Sequence, residues 1–166
     1  MDTRALHYLS YGMYVVTSHD KAGKINGQIV NTAFQITAEP PRVAVAINHE
    51  NLTYKYITES EVFAISILSS ETPMPLIGAF GFHSGRDTDK FSGVHWKEGL
   101  TQAPILTEYT LAYIEAKVIG KVSVGTHTLF IGKVLEADVL NKGEPMTYGY
   151  YRQVKKGTAP RTAPTY

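Results

Sequence analysis

The 166-residue chain contains no cysteine. Disulfides, zinc–thiolate sites, iron–sulfur clusters and thiol nucleophiles are therefore excluded together. Net charge is nearly absent as well, since 16 basic residues against 15 acidic ones leave +1. That balance argues against a strong electrostatic attraction to nucleic acid or a membrane surface, a local patch aside. No apolar run reaches the ~18–20 residues of a membrane span. The opening Met1-Asp2-Thr3-Arg4 lacks the apolar core of a signal peptide, so the expected location is the cytoplasm. Neither G-x-G-x-x-G, the P-loop, the G-x-S-x-G elbow nor H-E-x-x-H occurs. His7, His19, His49, His83, His95 and His127 are scattered without metal-ligand spacing. Asp87 and Asp89 begin like an EF-hand loop but lack its Gly and distal Glu, so no metal site is expected.

A chain of this length suits one domain that buries about 70% of its unfolded surface. Eleven Tyr against one Trp favour pleated, half-buried surfaces. The spacing of apolar residues predicts a short helix over 2–10, strands over 13–18, 25–37, 43–47 and 62–68, and two long strands over 111–124 and 128–140. Helices are predicted over 52–60 and 72–80, the latter with Pro73 and Pro75 in its first turn. Gly125-Thr126-His127 is expected as a tight turn and 81–93 as a polar loop. Many strands with few helices imply a mainly β barrel or sandwich. The expected organisation is one domain, 1–154, and an extended C-terminal arm, 155–166.

Ser84-Gly85-Arg86-Asp87-Thr88-Asp89-Lys90-Phe91 places a guanidinium fork and an ammonium four residues apart in a small polar turn. Such a pair suits a phosphate, although Asp87 and Asp89 could equally neutralise it on a solvated loop. Asn26-Gly27-Gln28-Ile29-Val30-Asn31-Thr32 is a polar, Gly-containing segment between apolar runs. Gly27 would let a ligand approach the backbone, and the amides could read a ring edge bearing donors and acceptors. In Asn48-His49-Glu50-Asn51-Leu52-Thr53, Asn51 or Thr53 could cap the following helix, whose free N–H groups favour phosphate. Plain capping and a hairpin bend explain the same residues. His127 titrates near neutrality and so suits a site handling a nicotinamide, or it is simply a turn histidine bonded to backbone.

Taken in order, Gly27-Gln28-Ile29-Val30-Asn31-Thr32, Glu39-Pro40-Pro41-Arg42, Asn48 through Thr53, Ser84 through Phe91 and Gly125-Thr126-His127-Thr128-Leu129-Phe130-Ile131-Gly132 resemble the flavin reductase-like, FMN-binding split-barrel family. Within it the chain looks closest to flavoredoxins and to the flavin domain of high-molecular-weight rubredoxins, and Gly157 through Tyr166 supports that match. The resemblance implies a split β-barrel with a few short helices, binding FMN and using NADH or NADPH as electron donor. Thr53, Arg86 and Lys90 would hold the phosphate. Asn31, Thr32 and Asn48 would contact the ribityl chain or ring edge, and backbone groups of Gln28, Ile29, Val30 and Asn31 would line the pyrimidine side. Asn51 and Ser84 would be further cofactor-binding residues, and His127 would sit where nicotinamide stacks. An acidic residue is common in the family where Thr126 stands. Phe34, Tyr148 and Tyr150 are the aromatic candidates against the ring. A homodimer is implied, with Tyr150, Tyr151 and Tyr166 as anchors of the arm. With no cysteine to bind iron, electrons would pass to a separate acceptor, a rubredoxin or another protein or a free flavin. The alternatives are an electron carrier reduced by a partner protein, and a β module that binds single-stranded nucleic acid.

Overall fold

The computed structural model describes residues 1–165; Tyr166, expected as an anchor of the arm, lies outside the described residues. After a 3-10 helix, Thr3–Tyr8, the chain forms strands β1 (Tyr14–His19), β2 (Ile25–Val30), β3 (Ala33–Thr37) and β4 (Arg42–Asn48), then helix α1 (Leu52–Ser60) and strand β5 (Val62–Leu68). Helix α2 (Met74–Phe82), strands β6 (Trp96–Glu98), β7 (Pro104–Leu106), β8 (Thr110–Val124) and β9 (His127–Val139), and helix α3 (Tyr148–Gln153) complete it.

Local chemistry explains the turns. Between β1 and β2 the Asp20 carboxylate accepts N–H bonds from Ala22 (2.9 Å) and Lys24 (2.8 Å), and Gly23 takes φ +83. Such an Asp-led turn with a left-handed Gly closes a hairpin. β8 and β9 are joined by Gly125, at φ +57, and Thr126. His127 is thus the first residue of β9, paired with Asn48 and Val124, and not part of the turn.

The main sheet has seven strands in the order β2-β1-β5-β8-β9-β4-β3. Its two edge strands, β2 and β3, are successive in the chain, separated only by Asn31 and Thr32. In a flat sheet those edges would lie about 29 Å apart at ~4.8 Å per strand. Three Cα steps span at most about 11 Å. The sheet must therefore curl into a barrel that is split where β2 leaves off and β3 begins. Ala46 N donates to Thr32 O at 3.1 Å, extending the β3–β4 ladder right up to that split. The single irregular strand expected over 25–37 is thus two strands on opposite sides of a seam.

Alternation on β1 produces two cores. Val16 points into the barrel with Val45, Ile47, Phe63 and Phe130. Val15 points outward, beneath α2, with Met13, Ile77, Phe80 and Phe91. Fully burying each such side chain stabilises the fold by about 1.5–3 kcal/mol. Tyr151 of α3, a helix absent from the sequence reading, is buried in the second core. It is therefore an anchor on the chain's own body and not on a partner. Residues 155–165 likewise do not extend away; they fold back over the seam. β3 and the two opposite ends of the β8–β9 pair are left with exposed Phe34 and Ile36, Val122 and Val124, and Val139. Among the described residues, no helix is long and apolar enough to cross a membrane.

Candidate functional site

A cleft of about 240 Å³ opens along the seam, between the end of β2, the start of α1, the turn after α2 and the first residue of β9. Gln28, Ile29, Val30, Asn31, Asn48, Asn51, Thr53, Ser84, Arg86, Lys90 and His127 all line it. Thr32 does not: its hydroxyl donates to Asn31 Oδ1 at 3.1 Å, so it orients Asn31 instead of facing the cleft. Gly27 also has a different duty. A Cβ there would come within 2.9 Å of Thr17 Cγ2 and 3.3 Å of Phe80, so the glycine admits β1 and α2, not a ligand.

One end of the cleft is cationic. The Ser84 carbonyl accepts N–H bonds from Asp87 and Thr88, both at 3.1 Å, and its hydroxyl accepts from Arg86 N at 3.2 Å. Gly85 presses against the Asn26 amide, where any side chain would collide. Asn26 Nδ2 in turn donates to Thr53 Oγ1 at 2.9 Å, so the turn, β2 and α1 are locked together. Thr53 is buried and keeps its hydroxyl hydrogen to give. Asn51 stands at the N-cap of α1 without a side-chain cap bond, and Thr53 lies inside the helix, so neither caps it as expected. Arg86 is exposed, with Nη1 donating to Glu50 O at 3.3 Å. Lys90 is buried, with Nζ donating to Gly27 O (2.9 Å) and Phe80 O (3.4 Å). No described carboxylate pairs with it, and burial pushes its ammonium down to about 8. Asp89, one possible neutraliser, instead accepts from Phe91 N at 3.0 Å.

The other end is neutral and polar. Gln28 Oε1 and Tyr148 OH are buried with no partner among the described residues. Buried orphans of that kind ask for a ligand or water. Asn48 Oδ1 accepts from Glu50 N at 3.0 Å, leaving its amide N–H₂ toward the cleft. Asn31 Nδ2 donates to Thr165 Oγ1 (2.7 Å), Asn48 Nδ2 to Thr162 O (3.3 Å). His127 Nε2 lies 3.2 Å from Thr162 O, and Nδ1 lies 2.8 Å from Thr126 Oγ1. Because a carbonyl only accepts, Nε2 carries the proton and Nδ1 accepts from the threonine hydroxyl. Thr126 thus does the orienting that an acidic residue would do. Burial lowers the His127 pKa, so the imidazole is neutral at pH 7; the Thr162 carbonyl opposes that shift and His49 adds to it.

Of the aromatic candidates only Tyr148 lines the cleft; Phe34 and Tyr150 are exposed elsewhere. Sequence reading missed Tyr151, residues 158–160 and residues 162–164 as parts of the wall. The available signal for the last was the repeated Thr-Ala-Pro at 158–160 and 162–164, whose prolines stiffen the chain.

Comparison with known proteins places this geometry. A family model described as a flavin reductase-like domain matches residues 6–158. A high molecular weight rubredoxin of Moorella thermoacetica is 53% identical over 166 residues, covering 100% of this chain and 72% of that protein. A ferric-chelate reductase (NAD(P)H) of Archaeoglobus fulgidus is 47% identical over 100% of this chain and 98% of that protein. The solved Streptomyces globisporus NADH:FAD oxidoreductase, in complex with NAD and FAD fragments, superposes with TM-score 0.76 at 25% identity over 87% of this chain and 84% of that one.

Proposed function

The chain belongs to the flavin reductase-like domain family, and from that premise we propose that it is an FMN-dependent oxidoreductase that takes hydride from NADH or NADPH and passes electrons to an external acceptor. The observation that carries the choice of FMN is Lys90, a buried ammonium held only by carbonyls in the wall of the cleft. A terminal phosphate there supplies the missing anion. The two unpartnered atoms, Gln28 Oε1 and Tyr148 OH, fit a ring edge that offers both donors and acceptors.

When bound, the flavin supplies a ring able to accept a hydride and release electrons. The chain supplies position and charge. Lys90, Arg86, Thr53 and Ser84 hold the phosphate, and Asn31, kept in place by Thr32, faces the ribityl chain. Gln28 and the backbone of Ile29 and Val30 line the pyrimidine side, and Asn48 and Asn51 border it. His127, fixed in one tautomer by Thr126, orients the nicotinamide through its Nε2–H. Titration of apoprotein with FMN, FAD and riboflavin tests the assignment: FMN should bind tightest, and riboflavin binding equally well would remove the phosphate end from the reading.

A second reading has its own support. Residues 158–165 lie across His127, which suits a flavoredoxin-like carrier reduced by a partner protein, and one relative is a rubredoxin. Turnover with NAD(P)H, with and without added rubredoxin, separates the two. The exposed apolar side chains of β3 and β8–β9 suit a homodimer interface. Light scattering at micromolar concentration should give twice the monomer mass.

A further inference from the structure

Residues 158–165 spend the polar groups of the cleft's neutral end on the chain itself. The Thr162 carbonyl is shared by Asn48 Nδ2 at 3.3 Å and His127 Nε2 at 3.2 Å, and the Thr165 hydroxyl accepts from Asn31 Nδ2 at 2.7 Å. Each such bond replaces one to water, so its net hold is modest. No side chain in 158–165 except Arg161 is larger than threonine or proline, so little apolar area holds the segment down.

Its base, by contrast, is firmly fixed. Tyr151 OH donates to Thr158 O at 2.9 Å and Gly157 N to Tyr151 O at 3.0 Å. The Tyr151 ring occupies the space where a Gly157 Cβ would stand, and Lys156 sits at φ +58. A rigid base and a lightly held arm make a strap that can lift.

Two features say what lifts it. The Thr162 carbonyl is an amide oxygen, the same acceptor that a nicotinamide carboxamide presents to the His127 N–H. Between Pro145 and Thr165 the chain carries Arg152, Lys155, Lys156 and Arg161 and no acidic residue. A polyanionic dinucleotide arriving at the cleft therefore meets cations on the strap and its base.

Resting on the reductase reading, we infer that residues 159–165 are a built-in competitor of the pyridine nucleotide: the Thr162 carbonyl holds the seat beside His127 that the nicotinamide must take, and nucleotide binding swings the strap out beyond Thr158, which Tyr151 holds. Because the chain has no cysteine, Ala163→Cys introduces a single thiol whose alkylation reports strap opening. In FMN-loaded protein, saturating NADP⁺ or NAD⁺ should speed labelling by roughly tenfold or more, as for release of a locally protected segment. Gly157→Val, which forces the strap's base off Tyr151, should lower KM for NADPH several-fold with FMN affinity unchanged. Labelling that stays constant or slows while calorimetry shows nucleotide bound overturns the inference alone, as does an unchanged or raised KM in Gly157→Val. A protein that holds no flavin overturns the reductase reading and the inference with it.

Discussion

At one end of the cleft, Lys90 keeps a buried ammonium against two carbonyls with no carboxylate beside it; at the other, Asn31, Asn48 and His127 are already bonded to residues 158–165. The two ends differ because a charge and a neutral dipole make different demands. Backbone carbonyls can fully satisfy an amide or imidazole N–H, so the chain can cover that end with its own strap. They cannot neutralise an ammonium, and the desolvation cost stays in the folded protein until an anion arrives. The cationic end is therefore poised for an anion, and the neutral end is defended at Asn31, Asn48 and His127 while Gln28 Oε1 and Tyr148 OH stay without a partner among the described residues.

The largest expected effect lies at the defended end. His127→Ala should slow reduction of bound flavin by NAD(P)H by about a hundredfold, the scale of a misplacement near 1 Å, while FMN affinity changes far less. Stopped-flow flavin absorbance with FMN saturating reads both. A lost affinity with an unchanged rate would move His127 to the cofactor's own contacts and erase the contrast between the ends.

Lys90→Met should weaken FMN binding by roughly ten- to a hundredfold, the worth of a charge-assisted contact of about 1.5–3 kcal/mol. The same substitution should raise the melting temperature of the apoprotein, because it removes a buried, unpaired charge. Opposite signs in ligand titration and thermal melting identify a residue held for its ligand.

The pH dependence sharpens this further. The Lys90 pKa is about 8 in the fold against an ordinary 10.5. Between those values the unfolded chain binds the proton and the folded one does not. Stability of the apoprotein should therefore rise with pH across that window, by up to about 3 kcal/mol at ~1.36 kcal/mol per unit. The penalty is fully present below pH 8. Denaturant melts from pH 7.5 to 10.5 should show this rise in the native chain and not in Lys90→Met. FMN affinity should fall over the same interval as the ammonium is lost.

The smallest effect is expected at the exposed cation. Arg86→Ala should weaken FMN binding by less than about tenfold, because solvent screens an exposed pair, and added salt should shrink the difference. A loss equal to that of Lys90→Met would mean the guanidinium closes onto the ligand and shares the buried end.

Much of this was legible in residue order. The Asp20–Gly23 turn, the helix after Asn51 and the long β8–β9 pair follow from turn chemistry and alternation, and the family pattern brought Arg86, Lys90 and His127 to one place in advance. What escaped was of one kind. The polar pair Asn31-Thr32 between Ile29-Val30 and Ala33-Phe34 reads as an irregularity within one strand, and nothing local says that it separates two. Gly27 reads as room for a ligand, yet the room is filled by Phe80 from a helix some fifty residues on. The second Thr-Ala-Pro repeat finds its partners in Asn48 and His127, far back in the chain.

By itself, the sequence determined the local geometry and the chemical inventory: which segments pleat or coil, which turns close, that no thiol is at hand, and that one turn carries an Arg–Lys pair. Tertiary structure alone decided that β2 and β3 face each other across a seam, that Lys90 points inward to carbonyls, and that residues 158–165 lie on Asn31, Asn48 and His127. Short-range dihedral preferences and hydrogen bonds act within a few residues and are written in adjacent letters. Barrel closure and the folding back of the strap join positions 35 to 134 apart, and depend on which distant groups are left unsatisfied once every local choice has been made.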